Sequence, residues 1–284
     1  MNKLRLLITL TIISLTVTFS ACKKSKLNRE TTTSEDNSIG EAAFEDVYNV
    51  VIESAADSDI EGDGKTAASY YIGTCAIATI DPAWPDNTFP KTITIDFGDG
   101  CIGRDGRTRK GIIEVFMTDR YRNPGSLLVT TPVGYEVDGY QVFGKKTVNN
   151  GGRNFNGHLF YDINVTDGHI ITPDGDEISW ESSRTRQWIE GEETNFLSNG
   201  ISGVTDDVYL ITGLSTGVNR AGRDFTAEIT SALRIQVGCR WVTAGTFEIR
   251  PDDLRTRKVD YGDGTCDNEA NVEIGNRDYD IRLR

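Results

Sequence analysis

From Ser69 to Arg284 the apolar residues recur at every second position, and a chain with that period is committed to strands that bury one face and wet the other. The clearest stretch sets Phe225, Ala227, Ile229, Leu233, Ile235, Val237, Cys239 and Trp241 on one parity, with a bulge or bend inside it. Thr226, Glu228, Thr230, Arg234, Gln236 and Arg240 take the other parity. Ile93, Ile95 and Phe97 alternate in the same way, as do Leu159, Tyr161, Ile163 and Val165, and Tyr279, Ile281 and Leu283. Asp138-Gly139, between Val137 and Tyr140, reads as a two-residue hairpin turn, and Asn150-Gly151, Asp167-Gly168 and Asp174-Gly175 read alike. Such short connections make neighbouring strands antiparallel. The expectation is an all-β domain over residues 69–284, an antiparallel meander of about 12–14 strands forming an open barrel or a two-sheet sandwich. One short N-terminal helix is laid against it.

That helix is expected from Ser38-Ile39-Gly40-Glu41, which has the Ser-x-x-Glu form of a capping box. Phe44, Val47, Tyr48, Val51 and Ala55 follow on one helical face, and Glu41, Glu45, Asp46 and Glu53 make the polar one. An acidic loop follows, and residues 38–68 hold the helix and loop together. Asp57-Ser58-Asp59-Ile60-Glu61-Gly62-Asp63-Gly64 resembles the first half of an EF-hand loop, yet Ala68 stands where the bidentate Glu is needed, so a solvated acidic turn is the expectation.

Ahead of the helix, residues 22–37 are polar and without periodicity, which predicts a flexible tether. Residues 1–21 carry Lys3 and Arg5, an apolar run from Leu6 to Phe19, and then Ser20 and Ala21 before Cys22. That is the layout of a secretory signal, and the run is shorter than the roughly 20 apolar residues that span a bilayer. Cys22 is the expected lipidation (palmitate) site. Ordinary cleavage without lipid is the alternative, because Phe19 occupies the place where bacterial lipoprotein signals usually carry Leu.

Loss of Lys3 and Arg5 with the leader makes the formal charge of −13 two units more negative. Nucleic acid is thereby excluded as a partner, since phosphate binding needs a basic surface, and acyl chains rather than surface charge would hold the protein at a membrane. Of five cysteines, four remain after Cys22, in a compartment where disulfides persist. Their sequence contexts favour Cys75–Cys101 and Cys239–Cys266 among the three connectivities, each closing a loop that contributes roughly 3 kcal/mol. No CxxC or Cys/His cluster supports a metal, no phosphate loop or Gly-x-Ser-x-Gly elbow is present, and His158 and His169 are too separated for a zincin motif. No cofactor, metal or catalytic residue is expected.

The tripeptide Arg-Thr-Arg occurs three times, at Arg107-Thr108-Arg109, Arg184-Thr185-Arg186 and Arg255-Thr256-Arg257. Residues two apart in a strand point the same way, so each pair of arginines shares a face with apolar neighbours. In the middle copy that face is Trp180, Ser182, Arg184, Arg186 and Trp188. Laid side by side, the three strands would present six guanidiniums and two indoles to a carboxylate, sulfate or phosphate. The structural alternative is that arginine stems cover apolar surface and their heads form cross-strand ion pairs.

Asp260-Tyr261-Gly262-Asp263-Gly264-Thr265-Cys266-Asp267-Asn268, preceded by Cys239-Arg240-Trp241-Val242 and Gly245-Thr246-Phe247-Glu248-Ile249, resembles the uncharacterised outer-membrane lipoproteins of Bacteroidetes-type bacteria. Phe97-Gly98-Asp99-Gly100-Cys101, Asp105 to Gly111, Lys146 to Gly151 and Asp206 to Gly213 carry the same resemblance. It implies a lipid anchor and the two cysteine pairs and assigns no activity. Lys23, Lys24 and Lys26 stand where acidic residues favour surface export, which points to the periplasmic face of the outer membrane, with surface display as the alternative. The leading functional expectation is a non-catalytic envelope protein that binds an anionic small molecule, a glycan or a protein partner. A glycan hydrolase using Asp99, Asp263 or Asp267 is the second. The third is a lipid carrier with an open barrel and the 39–55 helix as lid, which requires an apolar cavity.

Overall fold

A computed structural model describes residues 31–60, 69–72, 75–83, 86–103, 105–194, 205–237, 239 and 241–282. Helix α1 spans Thr32–Ile60. The strands are β1 (Ser69–Ile72), β2 (Ala76–Asp81), β3 (Lys91–Asp96), β4 (Cys101–Ile102), β5 (Thr108–Met117), β6 (Leu127–Val137), β7 (Tyr140–Arg153) and β8 (Leu159–Ile171). They continue as β9 (Glu177–Glu190), β10 (Val208–Val218), β11 (Asp224–Gln236), β12 (Ala244–Pro251), β13 (Arg257–Asp263), β14 (Glu269–Ile274) and β15 (Asp278–Arg282). Fourteen of them pair antiparallel in chain order as one open sheet, and the two-residue β4 pairs with β5 off that path. The expected all-β meander is present, and a single sheet rules out the two-sheet sandwich.

The sheet curls. Asp46 accepts hydrogen bonds from Arg109 of β5, while Glu41, about 7.5 Å earlier on the helix axis, lines a cavity with Tyr261 of β13. Strands β5 and β13 are eight places apart, or ~38 Å in a flat sheet at ~4.8 Å per strand. Only a sheet wrapped round the helix brings both within two turns of it. Bulges supply the bend. Gly111 (φ 82°) sits at a register shift between β5 and β6, and an added Cβ would lie 2.1 Å from the Gly134 carbonyl oxygen. Gly213 (φ 119°) does the same in β10, its Cβ position 2.1 Å from the Ser183 oxygen. Bulges of this kind increase local twist and let a sheet curve.

Two turn expectations need correcting. Asp138-Gly139 is the hairpin turn between β6 and β7, with positive φ at both residues, and Asp174-Gly175 lies in the β8–β9 turn. Asn150-Gly151 and Asp167-Gly168 instead lie inside β7 and β8, at register shifts. Asn150 is buried, its Nδ2 donating to the Tyr121 oxygen and its Oδ1 accepting from Gly152 N, so the dipeptide bends the strand without reversing it.

The helix is longer than expected at its start. The tether was predicted to run to Asn37, yet Thr32 to Asn37 are helical, and Thr33, Asp36 and Asn37 are fully buried. Ser38 is inside the helix, its Oγ donating to Ser34 O, so Ser38-x-x-Glu41 is not a cap. Phe44, Val47, Tyr48 and Val51 are buried as expected. The polar face is only partly solvated: Asp46 is buried, and Glu41 and Glu45, though partly accessible, meet arginines of the sheet. Asp57 to Ile60 belong to α1, and the rest of the EF-hand-like segment, with Cys22 and the leader, lies outside the described residues. Both expected disulfides are present, Cys75–Cys101 at the start of the sheet and Cys239–Cys266 towards its end.

Candidate functional site

The alternation of β9 places Ile178, Trp180, Ser182, Arg184, Arg186 and Trp188 on the buried face, as their parity predicts. Helix α1 covers Trp180, Arg184 and Arg186. The Trp180 indole stacks on Phe44 at 5.5 Å and its Nε1 donates to Asn37 Oδ1 at 3.0 Å. Arg184 Nη2 donates to the Glu41 carboxylate and lies 3.4 Å from Ser215 Oγ. The Arg186 guanidinium stacks over Tyr209 (4.0 Å) and Tyr48 (4.8 Å) and pairs with Glu45 at 3.5 Å. Trp188 carries the Arg122 guanidinium on its face at 4.5 Å. Both indoles are therefore used in packing and are not free stacking platforms.

The other Arg-Thr-Arg copies go elsewhere, because β5, β9 and β13 are not neighbours. Arg109 is buried and bonds Asp46 through Nε (3.0 Å) and Nη2 (2.5 Å) and Asp105 through Nη1 and Nη2. Arg107 bonds Asp46 and Asp138, and Tyr135 Oη donates to Asp46 Oδ2. That end is saturated. Arg257 is buried, with Nη1 donating to the Arg255 carbonyl, whereas Arg255 lies on the exposed face beside Glu248, Lys258 and Glu273. The expected row of six guanidiniums is corrected to three separate sites.

Among the described residues, the β9 pair borders the space under the helix on the concave side, whereas Arg255 borders a groove on the outer face. Between α1 and strands β7 to β13 lies a cavity of about 380 Å³ whose apolar wall includes Ile163, Ile211, Leu233, Val242 and Phe247. Its polar edge is Glu41 and Glu45 from the helix and Lys146, Arg184 and Arg186 from the sheet. Lys146 Nζ donates to the Phe44 carbonyl at 2.7 Å, and burial pushes the ammonium pKa down to about 8. Burial raises the Glu41 carboxyl against the opposing pull of Arg184, with Glu45 adding to the rise. Tyr261 is pushed up to about 12 by burial and by the nearby Glu41 charge. Arg184 Nη1 and Arg186 Nε are buried and have no hydrogen-bond partner among the described residues.

The turn carboxylates do not converge on this space. Asp99 is exposed, Asp263 Oδ1 accepts from Thr265 N and Oγ1, and Asp267 Oδ1 accepts from Glu269 N. They stabilise their own turns. Among the described residues no group of three His, Cys, Asp or Glu could hold a metal, and no helix is long and apolar enough to cross a membrane. The parity of β9 located Arg184, Arg186 and Trp180. Lys146, Glu41, Glu45 and the β10–β13 wall were missed; the one available signal was the pair of acids four apart on a helix facing a sheet with arginines at inward positions.

Compared with known proteins, the chain matches no protein-family model, no curated sequence and no solved structure.

Proposed function

We propose that this chain is a cell-envelope protein, lipid-anchored through Cys22, whose β domain binds a ligand without catalysis in the cavity between α1 and the concave sheet. The observation that carries the reading is the cavity itself, an apolar wall edged by two buried arginines that keep unpartnered nitrogens. Pockets with an apolar lining and a few convergent polar groups are the usual form of a binding site. The leader, the tether and the resemblance to Bacteroidetes-type lipoproteins support an anchor at the outer membrane, on its periplasmic face, with surface display as the alternative. The apolar wall favours a lipid-carrying role over glycan binding, and no observation favours a hydrolase.

Two measurements test this. Growth with a clickable palmitate should label the parent and not Cys22→Ser, and the unlabelled variant should leave the membrane fraction. Native mass spectrometry of the gently extracted protein should show added mass that Ala42→Trp lacks, because Ala42 is exposed on α1 at the cavity and an indole there would fill it. Bare parent protein together with absent label would sink the proposal.

A further inference from the structure

Resting on the ligand-binding reading above, we infer that the cavity takes a single-chain monoanionic amphiphile, a long-chain carboxylate, whose head group lies against Arg184 and Arg186 and competes with Glu41.

Three observations converge on this class. The charged groups lining the cavity are three cations, Lys146, Arg184 and Arg186, against two anions, Glu41 and Glu45. One negative charge from a ligand completes the set, and a dianionic phosphate would overshoot it. The second is hydrogen bonding. The side chains of Arg184 and Arg186 are 7 % and 8 % accessible, yet Nη1 of the first and Nε of the second have no partner among the described residues. Both nitrogens lack accessible surface as the side chains stand, so a carboxylate, the acceptor that guanidinium donors match best, reaches them by displacing Glu41 from Arg184 and Glu45 from Arg186. The third is volume. About 380 Å³ is near the lower end of the roughly 300–1,000 Å³ typical of ligand pockets, which suits one aliphatic chain and excludes a multi-chain lipid.

Glu41 then acts as the protein's own stand-in for the ligand head. Its side chain keeps 42 % accessibility while bonded to Arg184, so it can turn outward from the helix as a second carboxylate arrives. Asp46 has no such freedom at the other end of the face, being 3 % accessible and bonded to two arginines and a tyrosine. The apolar tail would lie along Ile211, Leu233 and Phe247, with α1 as a cover.

The test is titration of cis-parinaric acid and of its methyl ester, at neutral pH, into delipidated mature chain carrying Cys22→Ser, which keeps every described residue. The acid should bind one per chain and at least tenfold more tightly than the ester. Arg184→Gln and Arg186→Gln should each weaken the acid tenfold or more and leave the ester unchanged, with near-UV circular dichroism reporting that the fold is intact. Glu41→Gln leaves the arginines in place and should tighten the acid several-fold. Equal binding of acid and ester, or an acid affinity insensitive to both Arg184→Gln and Glu41→Gln, would overturn the inference while leaving an apolar ligand site standing. No binding of either probe, matched by no effect of Ala42→Trp, would remove the ligand-binding reading as well.

Discussion

Two halves of the concave face begin from the same alternation and end differently. Under β3 to β6 the inward residues Ile93, Ile95, Ile113, Val115, Met117 and Leu128 are wholly inaccessible, and the one buried carboxylate of the helix there, Asp46, is saturated by Arg107, Arg109 and Tyr135. Under β10 to β13 the inward residues Ile211, Leu233 and Tyr261 are only half-buried, and the arginines beside them keep unpartnered nitrogens. Periodicity tells which face is inward; it does not tell what will cover that face. A filled half fixes the helix, and a half left open provides a place for something else.

The comparison is most exposed to the loss of the two helix carboxylates. Asp46→Ala should cost about 3–5 kcal/mol, because it leaves the buried Arg109 without its main acceptor. Glu41→Ala should cost less, about 1–2 kcal/mol, since Glu41 is itself 42 % accessible and Arg184 retains Ser215. Urea midpoints at unchanged m-values give both numbers, and equal losses would mean that the open half is as dry as the filled one. The apolar counterpart is smaller. Ile113→Ala, at a site with no accessible surface, should lose about 4 kcal/mol, and Ile229→Ala on the cavity wall about 2 kcal/mol, because that wall already has space beside it.

The remaining effect is in pH. The Lys146 pKa falls on folding from its ordinary 10.5 to about 8, so between those values the unfolded chain binds more protons than the folded one. Stability should therefore rise as pH passes upward through about 8, by at most about 1.4 kcal/mol per pH unit. Burial lowers Lys91 as well, which adds to the same slope. Burial raises Tyr48 and Tyr121, so the trend reverses where free tyrosine begins to ionise. Lys146→Met should flatten most of the rise in urea midpoints measured between pH 8 and 10. An unchanged slope in that variant would show that the ammonium beside the cavity is hydrated.

Much of the fold was legible in the sequence, for local reasons. Asp138-Gly139 needs only its own backbone conformation to make a hairpin, and the parity of Trp180, Ser182, Arg184, Arg186 and Trp188 is a property of one strand. Asn150-Gly151 and Asp167-Gly168 carry the same dipeptide signal inside long strands, where pairing with neighbours converts a turn into a bulge.

The sequence by itself determined the antiparallel meander, the inward face of its strands and, from their contexts, the two cysteine pairs. Tertiary structure decided the rest. Thr33, Asp36 and Asn37 read as a polar tether because their partners, Asn219 and Arg220 in the β10–β11 turn and Trp180 in β9, are distant in the chain. The same distance hid the destiny of the arginines. A periodicity is written within a few residues, but which carboxylate answers a buried guanidinium, and whether space remains beside it, depends on how far the sheet curls before the helix fills it.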